Sequence, residues 1–205
     1  MIDFHTGQTS NGQRVGIVLE ECGLPYRVHR YALLKGEHKT PAFEALNPAG
    51  MVPVIVDDDG PNATRVTLTQ SGAIVLYLAE KAGRFLPHEM LARTRVLEWL
   101  AFTVSDVVAA SAGIFLNTAI QPEKSPANVK FYEERVLRFM RVADTRLAGH
   151  EWLAGDLSVA DFALYPITVV RGALIDAAGD LPNLVRWRTA LGARPGVQRG
   201  MAAAD

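Results

Sequence analysis

Thr9-Ser10-Asn11-Gly12 sets two hydroxyls and an amide at the start of a helix. Donors of that kind at a helix N-terminus suit an anion, a thiolate included. A free thiol has a pKa near ~8.5, so lowering it by about two units needs roughly 2.7 kcal/mol of preferential stabilisation of the anion. One or two good donors plus the helix end can supply that. Thr9, Ser10 and Asn11 could meet such an anion, though the residue types alone favour plain helix capping. A second group lies in the loop Asn47-Pro48-Ala49-Gly50-Met51-Val52-Pro53, which delivers a proline to the start of an apolar strand. Proline cannot donate to a sheet, and X–Pro bonds are the bonds where cis is accessible. A cis bond at Val52-Pro53 would turn the Val52 N–H and C=O outward to pair with an extended peptide; an ordinary edge-strand proline is the alternative. Gln70 offers donors and acceptors to the ammonium and carboxylate of an amino acid, and Ser71 either caps the next helix or holds a carboxylate there. His38-Lys39, in a polar loop, can bind a terminal carboxylate or stand as a solvated pair. Together these residues fit one small peptide with an α-amino acid end.

The elements that must position them follow from periodicity. Ile2–Phe4, Tyr26–Tyr31, Val54–Val56 and Val66–Leu68 read as short strands, the last two joined by the turn at Asp57–Asn62. Val15, Val18, Leu19 and Cys22 recur at helical spacing before the stop at Gly23. Pro41–Leu46 is a short helical turn and Ser71–Ala82 a helix ended by Gly83. The order β-α-β-α-β-β-α is that of a thioredoxin-like half-domain. Beyond Pro87 strand signals vanish, and four helical stretches remain: Leu91–Leu116 with a possible kink at Gly113, Ala127–Leu147, Ser158–Ala178 and Leu184–Ala193. Ser158-Val159-Ala160-Asp161 reads as a structural capping box, and Ala202–Asp205 as a frayed end.

Composition bounds the answer. The chain has 205 residues, 49% apolar and 21% charged, enough for a well-filled core of one large or two small domains. Its net charge of -1 gives no case for nucleic acid or an anionic membrane surface as partner. No signal peptide or membrane span is read, so a soluble cytoplasmic protein is expected. The single cysteine, Cys22, rules out an internal disulfide, and it sits on the apolar stripe of the first helix, as a packing residue would. His5, His29, His88 and His150 lack metal-ligand spacing, so no metal is expected.

The N-P-x-G-x-V-P loop, the Q-S-x-A-I-x-x-Y-L helix start and the G-x-x-S-x-A-D box from Gly155 to Asp161, in that order across the change to all-helical sequence, resemble the cytosolic glutathione transferase superfamily over the whole chain. The Thr9–Val15 run is similar to the bacterial nu class and its fungal nitrogen-regulator relatives, with phi- and theta-like features besides. The resemblance implies an α+β protein with a thioredoxin-like βαβαββα domain over 1–83 and an all-α helical-bundle domain over 89–205. It implies glutathione as co-substrate, no metal, and a homodimer. Pro53 would be the cis proline, with the Val52 backbone pairing the cysteinyl unit; Gln70 and Ser71 would hold the γ-glutamyl end, and His38 and Lys39 the glycyl carboxylate. Thr9, with Asn11 as second donor, would stabilise the thiolate, and Ser10 stands where the nu class has proline. Met51 departs from the polar residue usual at its position. Conjugation to hydrophobic electrophiles, in a pocket around Ser105–Asn117, or reduction of small disulfides would follow. A non-catalytic glutathione-binding regulatory protein is the alternative.

Overall fold

The computed structural model describes residues 1–204, which form two compact units: Met1–Leu86 with the chain from Gly192 onward, and Pro87–Leu191. The first contains β1 (Ile2–Thr6), α1 (Ser10–Cys22), β2 (Tyr26–Arg30), α2 (Pro41–Leu46), β3 (Val54–Asp57), β4 (Val66–Thr69) and α3 (Ser71–Ala82), the βαβαββα order of a thioredoxin-like fold. The sheet runs β2-β1-β3-β4, with β1 parallel to β2 and antiparallel to β3, and β4 antiparallel to β3. Alternation along β1 buries Ile2, Phe4 and Thr6 on one face and leaves Asp3 and His5 on the other. β3, in the middle of the sheet, is buried at all four positions. α3 packs on α1 and reaches β3 and β4. Asp3 and His5 belong to a polar and aromatic layer: His5 stacks on His29 at 4.5 Å between centroids and bonds Tyr31 Oη at 2.8 Å, while Phe43 of α2 meets Tyr31 edge-on.

A helix not expected from the sequence, α10 (Pro195–Ala203), returns the chain to this unit and lies along α1. The two backbones touch at glycines. A methyl on Gly16 would stand 2.4 Å from the Gly200 carbonyl oxygen, and one on Gly200 2.3 Å from Ile17 Cα. Both ends of the contact carry charge pairs. Arg194 donates through Nε and Nη2 to the Glu21 carboxylate at 3.0 and 2.6 Å, and Arg199 Nε to Glu20 at 2.6 Å. The end of the chain is therefore packed where fraying was expected: Ala203 and Ala204 are buried, and Asp205 lies outside the described residues. The expected division at 1–83 and 89–205 thus differs from the compact units in where the last helix belongs.

The second unit is all helix: α4 (Met90–Ala101), α5 (Val108–Phe115), α6 (Pro126–Leu147), α7 (Val159–Val170), α8 (Gly172–Ala178) and α9 (Pro182–Gly192). α4 and α5 run on through wider i→i+5 turns at Phe102–Val107, and the same kind of turn at Leu116–Ile120 follows α5, so the helix passes Gly113 without a break. By length and composition the run Met90–Ile120 could cross a membrane, a test that core helices also meet; Val96, Leu100, Val107, Ala110 and Ile114 are buried in this unit. On α6, Val136, Met140, Ala143 and Leu147 form the buried stripe that periodicity predicts. Ser158–Ala178, expected as one helix, is two. The break is Arg171 (φ −101°, ψ 18°), whose Nε and Nη2 bond Ser111 Oγ and O at 3.0 and 2.7 Å.

The capping box at α7 is present. Asp161 accepts from Ser158 N and Oγ (3.0 and 3.2 Å), Leu153 N (3.0 Å) and Trp187 Nε1 (2.9 Å), joining α7, its preceding loop and α9. Burial pushes its carboxyl up, against the pull of those donors.

Candidate active site

Three segments of the first unit carry the expected site residues. Thr9 is the N-cap of α1: extended backbone (φ −144°, ψ 150°), with Oγ1 accepting from Gly12 N at 3.0 Å. The hydroxyl proton finds only a long contact, 3.4 Å, to the Gly7 carbonyl. Since a capping hydroxyl uses a lone pair, its O–H stays available to an incoming anion. Gly12 is required by close approach: a Cβ there would stand 2.2 Å from Thr6 Oγ1. Ser10 opens the helix and is half-buried. The Asn11 Oδ1 atom is buried without a hydrogen-bond partner. A half-turn of that amide presents Nδ2–H₂ at the same place, so Asn11 can give or take a hydrogen bond.

The second segment is the loop into β3. The Val52–Pro53 bond is cis, as expected, and Val52 lies beyond the β ladder, which begins at Val54. Asn47 shapes this loop: its Nδ2 donates to Met51 O at 2.6 Å, its Oδ1 accepts from Ala49 N at 3.1 Å, and its carbonyl accepts from Gly50 N at 2.8 Å. The Met51 side chain, the departure from the family pattern, is 55% exposed. Lys39 Nζ donates to Gly50 O at 2.8 Å and so ties the His38-Lys39 loop to this one. His38 is buried against the edge of Phe43, 6.0 Å between centroids, with Nδ1 unpartnered. Burial, with Lys39 beside it, holds the His38 imidazole below its usual range, so it is neutral at pH 7.

The third segment is the start of α3. Gln70 is the N-cap residue, exposed, with φ 69° and ψ 106° and no side-chain cap bond. That is a strained conformation for a residue with a Cβ. Ser71 is not the cap. It is the first residue of the helix, and its Oγ accepts from Arg14 Nη1 at 3.2 Å. Arg14 is the residue that sequence reasoning missed, a guanidinium of α1 with no exposed surface, and Asn47 is the other. The signal for Arg14 was present, because it stands one turn before Val18 on the stripe expected to be apolar.

α1 and α3 pack together, the Arg14–Ser71 bond joins the first helix to the start of the other, and the Lys39–Gly50 bond joins the two loops. Among the described residues no cluster of His, Cys, Asp or Glu could hold a metal ion. Cys22 is buried, and burial pushes its thiol up to about 11, so it is no nucleophile. In the second unit, Ser105 Oγ bonds Ala101 O at 2.8 Å, and Asn117 is buried between Gly113 O and Asn128 Nδ2. Cavities of about 380 and 340 Å³ there are lined by residues such as Arg171 and Arg188, which already bond Ser111 and Asp176.

Residues 10–81 match the family model for the glutathione S-transferase N-terminal domain, and residues 101–195 the model for the C-terminal domain. The Escherichia coli disulfide-bond oxidoreductase YfcG is 32% identical over 208 residues, covering 100% of this chain and 96% of that protein. A glutathione transferase family member from Pseudomonas fluorescens, solved with two glutathione bound, superposes with a TM-score of 0.90 at 32% identity, over 98% of this chain and 92% of that one. Protein URE2 of Eremothecium gossypii is 27% identical over 238 residues, covering 97% of this chain and 66% of that protein.

Proposed function

The chain belongs to the glutathione S-transferase family, and from that premise we propose that it binds glutathione in its first unit and activates the thiol through Thr9, with Asn11 as second donor. The carrying observation is the Thr9 hydroxyl, whose lone pair caps α1 while its proton has only the long contact to Gly7. Ser10 is the adjacent hydroxyl and a lesser donor to the same sulfur. Val52 offers its backbone to the cysteinyl unit beside Pro53, Gln70 and Ser71 take the γ-glutamyl end, and His38 and Lys39 take the glycyl carboxylate. Lys39 already donates a hydrogen bond to the Gly50 carbonyl, so it positions that loop as well as supplying charge.

Glutathione, as co-substrate, supplies the reacting thiol. For a small disulfide, two glutathiones become one glutathione disulfide and the substrate gains two electrons and two protons. This reaction requires no protein thiol, which agrees with the buried Cys22, and the disulfide-bond oxidoreductase among the relatives favours it over conjugation. Conjugation to an apolar electrophile near Ser105–Asn117, where Phe115 and Leu116 are exposed, is the second activity to measure. The working form is a homodimer, and no metal takes part.

Thr9→Ala should lower turnover about 100-fold, the scale of one lost oxyanion-type donor, and destabilise α1 by about 1 kcal/mol through the lost cap. Thr9→Ser should keep most of both. Turnover of a small disulfide and of a chlorinated aromatic, each with glutathione, checks this. Full turnover in Thr9→Ala and Asn11→Ala sinks the thiolate role. A wild-type protein retained on immobilised glutathione but silent with both substrates would instead be a glutathione-binding protein without catalysis.

A further inference from the structure

Arg14 is fully buried, and among the described residues its guanidinium makes one hydrogen bond, from Nη1 to Ser71 Oγ, while Nε and Nη2 have no partner. Among the described residues no carboxylate pairs with it. A buried guanidinium with unmade hydrogen bonds destabilises a fold, and proteins keep such a group chiefly where it acts on something else. Burial pushes it down to about 10, which still leaves it charged at neutral pH. Its position says what it acts on. Ser71 Oγ accepts from Arg14, so the Ser71 proton is directed elsewhere, and Ser71 N–H is among the orphan donors of the α3 N-terminus. One turn earlier on α1, Asn11 Oδ1 is also unpartnered. A positive charge behind a hydroxyl at a helix N-terminus makes a well-oriented carboxylate site that lacks only the carboxylate.

We propose that Arg14 is a positioning residue for glutathione: acting through Ser71, it supplies the charge that the γ-glutamyl α-carboxylate completes. The proposal rests on the glutathione-binding reading above. Arg14 touches neither the peptide nor the reacting sulfur. It fixes the direction of the Ser71 hydroxyl and gives the site a cation that solvent cannot screen. The free protein carries an uncompensated charge that the bound peptide neutralises, so the same residue weakens the unliganded fold and strengthens the liganded one.

Titration calorimetry with glutathione, and with an analogue whose γ-glutamyl α-carboxylate is an amide, tests this on wild type and Arg14→Met, alongside thermal unfolding of both free proteins. Wild type should prefer glutathione over the amide. Arg14→Met should lose roughly 10- to 100-fold in affinity for glutathione, the scale of charge-assisted hydrogen bonding, and change its affinity for the amide by less than about twofold. The free variant should unfold no lower than wild type, because it no longer buries an unpaired charge. Equal losses for both peptides, or undiminished binding of glutathione, would overturn the proposal. If Arg14→Met does not fold, Arg14→Lys carries the test. With the charge kept it should retain the preference for the carboxylate, and a variant that binds both peptides alike overturns the role. Wild type that binds neither peptide removes the glutathione reading itself, whereas wild type that binds both equally removes only the role of Arg14.

Discussion

His38 shows how burial and chemistry meet in one side chain. Its imidazole is held below the usual range by burial and by Lys39, so the folded protein resists protonating it. Free-protein stability is therefore complete above about pH 6.5 and declines as pH falls through that value. A bound carboxylate reverses the preference, since it favours the imidazolium. The glycyl carboxylate stays ionised throughout this window. Loss of the thiol proton on binding favours high pH, so the His38 contribution is read by difference: the ratio of wild-type to His38→Gln affinity for glutathione should grow several-fold as pH falls from 7.5 to 5.5, and calorimetry across the range decides it. An unchanged slope in His38→Gln would remove His38 from the site. At this scale the sequence was informative wherever the chemistry was local. Thr9 stands beside the helix start it caps, and Pro53 announces its own bond. Arg14 escaped because its meaning depends on Ser71, 57 residues away, and Asn47 because its bonds go to the backbone of a loop read mainly for its prolines and glycine.

Between elements, the tightest constraint is the crossing of α1 and α10. With Gly16 and Gly200 at the contact, the backbones approach more closely than any side chain would allow. Gly200→Val places branched carbon against the Ile17 backbone and should destabilise the first unit by roughly 1–3 kcal/mol, the range for overpacking. Since α1 also carries Thr9 and Asn11, the variant should weaken glutathione binding although no substituted atom lies in the site. Urea titration with glutathione binding as the readout checks both. A midpoint equal to wild type would mean that the helices separate at little energetic cost. The βαβαββα order, α3 and the α6 stripe were legible because the period of apolar residues changes where the structure does. α10 was not, although it is amphipathic, because its buried face is mostly glycine and alanine (Gly196, Gly200 and Ala203 beside Val197), whose meaning depends on α1, far away along the chain. The break at Arg171 has the same origin, because Ser111, which holds it, is 60 residues away.

At the scale of the molecule, two cores imply two unfolding events. The three tryptophans, Trp99, Trp152 and Trp187, all belong to the second unit, whereas His5, His29 and His38 belong to the first. Unfolding followed by tryptophan emission and by the ring resonances of His5, His29 and His38 should therefore give separate midpoints, with His88 and His150 following the tryptophans. Glutathione at a hundred times its dissociation constant should raise the stability reported by the first unit's histidines by about 2.7 kcal/mol and the tryptophan-reported one by less than half of that. Coincident, equally shifted curves would mean a single cooperative molecule.

The return of the chain to α1 also sets a schedule for synthesis. The unit that carries the candidate thiolate site is begun first and closed last, because its final helix follows the whole of the helical unit. At about 5–20 residues per second, roughly 5 to 20 seconds pass between the emergence of α3 and that of α10. During that interval the glycine face of α1 waits without its partner, and the helical unit can complete its own core around Trp187 before the first unit is whole.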